Sequence, residues 1–293
     1  MQERNRALVA LFQDLNLNIG AGQNAGSLCF NEEPSCVYGR GIVGVEGPRG
    51  TPIPLGTLDA NTWLGTVNEQ NEYNANGNPA SNVFVAASEW GKGRVIGYAH
   101  DGLIRDAVHR NCYSSNDVAR CEKTTPKTET ADNLTFIDNA LRWAMGPTPA
   151  DCPTKTITIA IYEGWVKMPE TQEIADLAKR RDWSYERILP TADPSNLTSQ
   201  LHCVNALIWG NPWGDDGDPA RAVVTDPVLA AVATYVQDGG GLLLGGLGWS
   251  WVGFSTKPVE DYPANRLAAR FGFGFTRDTF EAGAGLRLRP PPA

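Results

Sequence analysis

The sequence predicts an α/β protein: a mostly parallel, three-layer sheet in its second half, preceded by a smaller α+β module. Three observations predict this. Residues 156–162 (Thr-Ile-Thr-Ile-Ala-Ile-Tyr) form a near-continuous apolar run, the pattern of a strand covered on both faces. From there to residue 246, strand-like and helix-like segments alternate with short links, which is the order of a parallel sheet with crossover helices. Finally, the stretch Gly-Pro-Thr-Pro-Ala-Asp-Cys-Pro at 146–153 has linker composition and divides this alternation from an irregular first half.

The elements follow in order. Leu8, Leu11, Phe12 and Leu15 share one helical face, so residues 1–17 are expected to form an amphipathic helix. Residues 18–82 are turn-rich and end in an Asn-rich run from Asn68 to Asn82. That run lacks the acidic spacing of a calcium loop and is expected to be surface loop. A hairpin follows: strands 83–88 and 94–98 flank Glu89-Trp-Gly-Lys-Gly93. Asp132 is a candidate N-cap for a helix whose apolar stripe is Leu134, Ile137, Leu141 and Ala144, ended by Gly146-Pro147. In the second half, strands are expected at 156–162, 185–189, 204–209 and 242–246, and helices at 170–182 and from Asp226-Pro227 to Val236. The domain reading is therefore 1–17 helix, 18–148 α+β module, 149–285 α/β domain and 286–293 linker.

Composition excludes several function classes. The 293 residues are 42% hydrophobic and 20% charged, enough to build a core. Mean hydropathy is −0.29, and no apolar run approaches the ~20 residues that a spanning helix needs. The net charge of −8 and the lack of a basic block argue against nucleic acid as a partner. No signal peptide is visible, since Ala7–Phe12 is too short for an apolar leader core.

Six cysteines occur, with no C-x-x-C spacing, which disfavours zinc-ribbon and thioredoxin-type motifs. Cys29/Cys36 and Cys112/Cys121 are close pairs in loop-like stretches. Disulfides 29–36, 112–121 and, by elimination, 152–203 are expected, the alternative being six free thiols in a reduced chain.

Ligands on open parallel sheets sit beyond the carboxyl ends of the strands. There the sequence places Glu163-Gly-Trp165, Gly210-Asn-Pro-Trp213 and Gly246-Leu-Gly-Trp249-Ser-Trp251. Glu163, Trp165, Trp213, Trp249 and Trp251 are candidate binding residues, because aromatic rims suit the flat faces of sugars or peptides; burial in the core is the competing reading. Asp215, Asp216 and Asp218 are candidate metal ligands, set against a solvated surface loop. His100 and Asp101, at a strand end, are the candidate catalytic pair, set against a structural histidine. The three histidines lack the H-E-x-x-H spacing, which removes a zinc peptidase centre from this chain. The Gly-rich turn 245–249 has the form of a nucleophile elbow, but Leu247 stands at its centre without a nucleophilic atom.

Specific strings carry a resemblance. Residues 235–251 (Tyr-Val-Gln-Asp-Gly-Gly-Gly-Leu-Leu-Leu-Gly-Gly-Leu-Gly-Trp-Ser-Trp), Tyr262-Pro-Ala-Asn-Arg266 and Phe271-Gly-Phe273 resemble the pre-catalytic region of M60-like (enhancin-type) peptidases and the related TRPM8 channel-associated factors. Val85–Val95, Ala99–Gly102 and Asn139–Trp143 look like the module that precedes it there. The layout is also similar to the front of a secreted immunomodulating metalloprotease. The resemblance implies a class I glutamine-amidotransferase-like, flavodoxin-like fold without the amidotransferase cysteine, Leu247 standing in its place. It further implies a non-catalytic accessory region of an exported M60-like protein, placed extracellularly or in the periplasm, with downstream domains of the parent and glycoproteins or their glycans as partners. No cofactor is expected on this chain, and zinc only in a downstream peptidase domain. The alternatives are a small-molecule enzyme of the amidotransferase or ThuA-like type using His100 and Asp101, and a protein-interaction module like the channel-associated factors.

Overall fold

The computed structural model describes residues 15–17, 24–30, 51–58, 83–100, 102–105, 132–162, 171–213, 224–255, 257–281 and 286–289. The strands are β1 (Leu15–Leu17), β2 (Asn24–Phe30), β3 (Thr51–Leu58), β4 (Val83–Trp90), β5 (Gly93–Tyr98), β6 (Thr158–Tyr162), β7 (Ser184–Ile188), β8 (Ala206–Trp209), β9 (Gly241–Gly245), β10 (Phe273–Glu281) and β11 (Leu286–Arg289). The helices are α1 (Gly102–Arg105), α2 (Asn133–Ala144), α3 (Thr171–Arg180), α4 (Pro194–Leu201), α5 (Asp226–Gln237), α6 (Gly248–Phe254) and α7 (Pro263–Ala268).

Nine strands form one sheet in the order β1-β11-β3-β4-β5-β9-β8-β6-β7, and β10 pairs with β2 in a separate ribbon. The run β5-β9-β8-β6-β7 is parallel, whereas β1, β11, β3, β4 and β5 pair antiparallel. The sheet is therefore mixed. Its parallel half matches the sequence expectation, and its antiparallel half extends it through the first-half hairpin. The sheet runs through the expected boundary at 148/149, because Arg94–Tyr98 pair with Gly241–Gly245.

Parallel pairing requires crossovers, and right-handed crossovers decide the faces. The paths β5 to β6 and β6 to β7 move one way along the sheet and place α2 and α3 on one face. The Arg181 guanidinium, just past α3, grips the Asp138 carboxylate of α2, with Nε donating to Oδ1 at 2.9 Å. The returns β7 to β8 and β8 to β9 put α4 and α5 on the other face, with α7 packed beside α5 and β9. Helix α4 is a difference from the sequence expectation, which joined two strands directly there. Its polar composition hides it, but Asp193 caps it by accepting from the Ser195 N–H at 2.9 Å, and Pro194 opens its first turn.

Two further differences concern the chain ends. Leu15–Leu17 form a strand where a helix to residue 17 is expected, and Leu286–Arg289 form a strand where a linker is expected. Both reflect pairing with distant residues, Leu15 opposite Leu288 and Leu288 opposite Leu58. Local periodicity carries no trace of such partners.

Asn205 joins the layers at the amino ends of the parallel strands. Its Oδ1 accepts from the Thr158 N–H at 2.7 Å, and its Nδ2 donates to Gly146 O at 2.9 Å and Thr148 Oγ1 at 3.0 Å. Its main-chain carbonyl accepts from Gly146 and Gly241. This one buried side chain fixes the 146–148 segment against β6, β8 and β9.

Candidate functional site

The turn after β9 is the place where a sheet of this kind would carry its nucleophile. Close approach of the chain demands its glycines. A Cβ on Gly245 would sit 2.3 Å from Gly210 O, and one on Gly248 would sit 2.3 Å from Thr276 O. Leu247 occupies the apex and is 2% exposed. Its backbone N–H donates to the Tyr262 hydroxyl at 2.9 Å. The Tyr262 O–H in turn donates to Asn211 Oδ1. Three buried groups thus hydrogen bond in series beneath the turn.

Aromatic rings close what remains. Tyr262 stacks on Trp251 with centroids 5.3 Å apart, and Trp213 meets the edge of both, at 5.4 Å from Trp251 and 6.0 Å from Tyr262. Trp251 Nε1 donates to Pro258 O at 3.0 Å. Trp213 and Trp251 are buried in one another, and Trp249 is half-buried on α6. The crevice beyond β8 and β9 is a packed plug in which neither Trp213 nor Trp251 offers a face to solvent. Ser250 is buried as well. Nearby, burial raises the Tyr162 phenol above its ordinary value, while its oxygen accepts from the Thr191 N–H at 3.3 Å.

The other sequence candidates divide as follows. His100 leaves β5 wholly buried, while Asp101 lies outside the described residues. Glu163, Trp165, Asp215, Asp216 and Asp218 also lie outside them, as do Cys36, Cys112 and Cys121, so disulfides 29–36 and 112–121 fall there too. Cys152 and Cys203 are joined. Tyr262 and Asn211 were missed as site residues. They are 51 positions apart, and no spacing announces that their side chains meet.

A second concavity lies at the opposite, amino ends of β8 and β9. It encloses about 310 Å³ and is lined by Pro147, Leu201, His202, Val204, Tyr235 and Gly239, among others. Tyr235 closes its floor by hydrogen bonding to Val204 O at 3.2 Å and Gly241 O at 3.1 Å, and burial drives its pKa upward. At the rim, His202 Nε2 lies 2.8 Å from Asp151 Oδ2. That hydrogen bond holds the Asp151 carboxyl below its ordinary value.

Residues 221–288, which contain the plugged turn, match the family described as the TRPM8 N-terminal domain. The chain is 23% identical over 205 residues to TRPM8 channel-associated factor 2 of Bos taurus and 24% identical over 204 residues to TRPM8 channel-associated factor 3 of Rattus norvegicus. Each alignment covers 69% of this chain and 16% of the relative, so the chain spans about a sixth of those proteins. No solved structure matches. These matches support the channel-associated-factor side of the resemblance and lend nothing to its M60-like side. They also correct the expected location. The extracellular or periplasmic placement rested on the cysteine pairs and on the resemblance to exported peptidases, and the relatives found are channel-associated factors instead. Among the described residues no helix is long and apolar enough to cross a membrane.

Proposed function

We propose that this chain is a non-catalytic protein-interaction module of the channel-associated type, built on an amidotransferase-like scaffold. The strand order β7-β6-β8-β9, read by chain position as 2-1-3-4, supports a flavodoxin-type arrangement. The observation that carries the non-catalytic reading is the filled elbow: Leu247 at the apex, its N–H held by Tyr262, and tryptophans packed over it. Leu247 offers a reacting carbonyl no nucleophile there. The similarity to channel-associated factors supports a membrane channel of the TRPM8 type as the partner. Phe254, at the end of α6, and Leu189, just past β7, are the large apolar side chains most exposed among the described residues and are the contacts to test.

The experiment immobilises the full chain and presents detergent-solubilised TRPM8-type channel, with an unrelated channel as control. Saturable binding to the first alone is expected, weakened by Phe254→Ser. Equal retention of both channels, or of neither, overturns the reading. Glutamine or ester turnover that His100→Ala abolishes would instead establish the enzymatic alternative.

A further inference from the structure

Cys152, His202 and Cys203 each offer one ligand atom, and these atoms all lie within 4.8 Å of one another. The two sulfurs form a disulfide with Cα atoms 5.7 Å apart, between segments 51 residues apart in sequence. We propose that the reduced form of this pair, together with His202, binds one zinc ion, so that disulfide and metal centre are alternative states of one site.

The donor set carries the choice of metal. Two thiolates and an imidazole suit a borderline-soft ion without geometric preference of its own. Zinc–sulfur bonds of about 2.3 Å and zinc–nitrogen bonds of about 2.0 Å place tetrahedral ligand atoms within about 4 Å of one another. The three ligand atoms now lie within 4.8 Å of one another, so opening the S–S bond and drawing them onto one ion asks for shifts of about 1–2 Å. Room for them exists, because His202 is exposed and Cys203 half-buried in the loop between α4 and β8.

The carboxylate beside the imidazole is the second observation. Asp151 Oδ2 accepts from His202 Nε2 at 2.8 Å. With Nε2 carrying the proton of that bond, the other ring nitrogen, Nδ1, keeps a lone pair for a metal. Three protein ligands leave the fourth position to water, next to the concavity of about 310 Å³ that His202 helps to line. This is a zinc site on the chain itself, where the sequence leads one to expect zinc only in a downstream domain. It stands independently of the partner proposed above.

The chemistry balances with a small-molecule dithiol or monothiol as reductant. Two thiol equivalents donate two electrons, the Cys152–Cys203 bond breaks, and the reductant leaves as its own disulfide. The two cysteine thiols then lose their protons to solvent as the zinc–sulfur bonds form. In the reverse direction a small-molecule disulfide takes the two electrons, the S–S bond re-forms and the ion is released.

The test uses the full chain, reduced with a phosphine and titrated with Co²⁺, whose tetrahedral thiolate complexes absorb visibly, followed by displacement with Zn²⁺. One tight equivalent is expected in the reduced chain and none at this site in the oxidised chain. Cys203→Ser and His202→Ala should each weaken binding tenfold or more, and Asp151→Asn about tenfold. His202→Ala lies on the surface and leaves the cysteines in place, so it reports even where Cys203→Ser folds poorly. Absence of a tetrahedral cobalt spectrum, or affinity unchanged by His202→Ala, overturns the site.

Discussion

At the scale of single residues, the plugged elbow makes a sharp prediction. Tyr262→Phe keeps the ring stack but removes one hydroxyl that serves two buried partners, Leu247 N–H and Asn211 Oδ1. Leaving both unsatisfied should lower stability by about 2–3 kcal/mol, read as a lower urea midpoint with the slope unchanged. Asp151 yields a pH prediction. Its folded pKa lies below the ordinary 3.8 because His202 hydrogen bonds to it. Its contribution to stability is therefore present above the unfolded value and fades as pH falls through the folded one. The difference in urea midpoint between the wild type and Asp151→Asn should hold steady above pH 4 and shrink below it. A difference that grows on acidification would contradict the assignment.

At the scale of elements, close backbone approach seats the turn of the β4–β5 hairpin against the end of α5. Gly91 has φ +58, and the Lys92 N–H donates to Gln237 O at 2.9 Å, where α5 ends. A Cβ on Gly93 would lie 2.1 Å from Val236 O and 2.3 Å from Gly240 O. Gly93→Ala should thus push the hairpin off the end of α5 and cost about 1–3 kcal/mol, measurable by chemical denaturation. About half of these elements could be read from the sequence, among them β4 to β9, because alternation, apolar stripes, Pro at N1 and terminal glycines are local signals. Helix α4 could not, since only Leu197 and Leu201 along it are buried. Strands β1 and β11 could not either, since each exists through its partner.

At the scale of the whole molecule, β5 pairs with β9, and α5 packs against the hairpin of the first half. A fragment beginning at residue 149 would expose the full edge of β9, including Leu242, Leu243 and Leu244, all now wholly buried. Such an open apolar edge invites aggregation. The fragment should be insoluble or lack a cooperative thermal transition, whereas the full chain melts as one unit; a soluble, cooperatively folding fragment would separate the halves. The amino-acid sequence alone determined the parallel α/β half and the leucine at the glycine-rich turn, because both depend on residue type at local spacing. It also reached the Cys152–Cys203 pairing, though only by elimination. Tertiary structure alone decided that the sheet continues into the first half, that Trp213 and Trp251 face one another rather than solvent, and that Tyr262 satisfies the Leu247 N–H. It alone brought His202 and Asp151 beside the cysteine pair. The physical reason is the same throughout: pairing across a sheet, ring packing and buried hydrogen bonds join residues tens of positions apart, and no local pattern in the chain records which of them will meet.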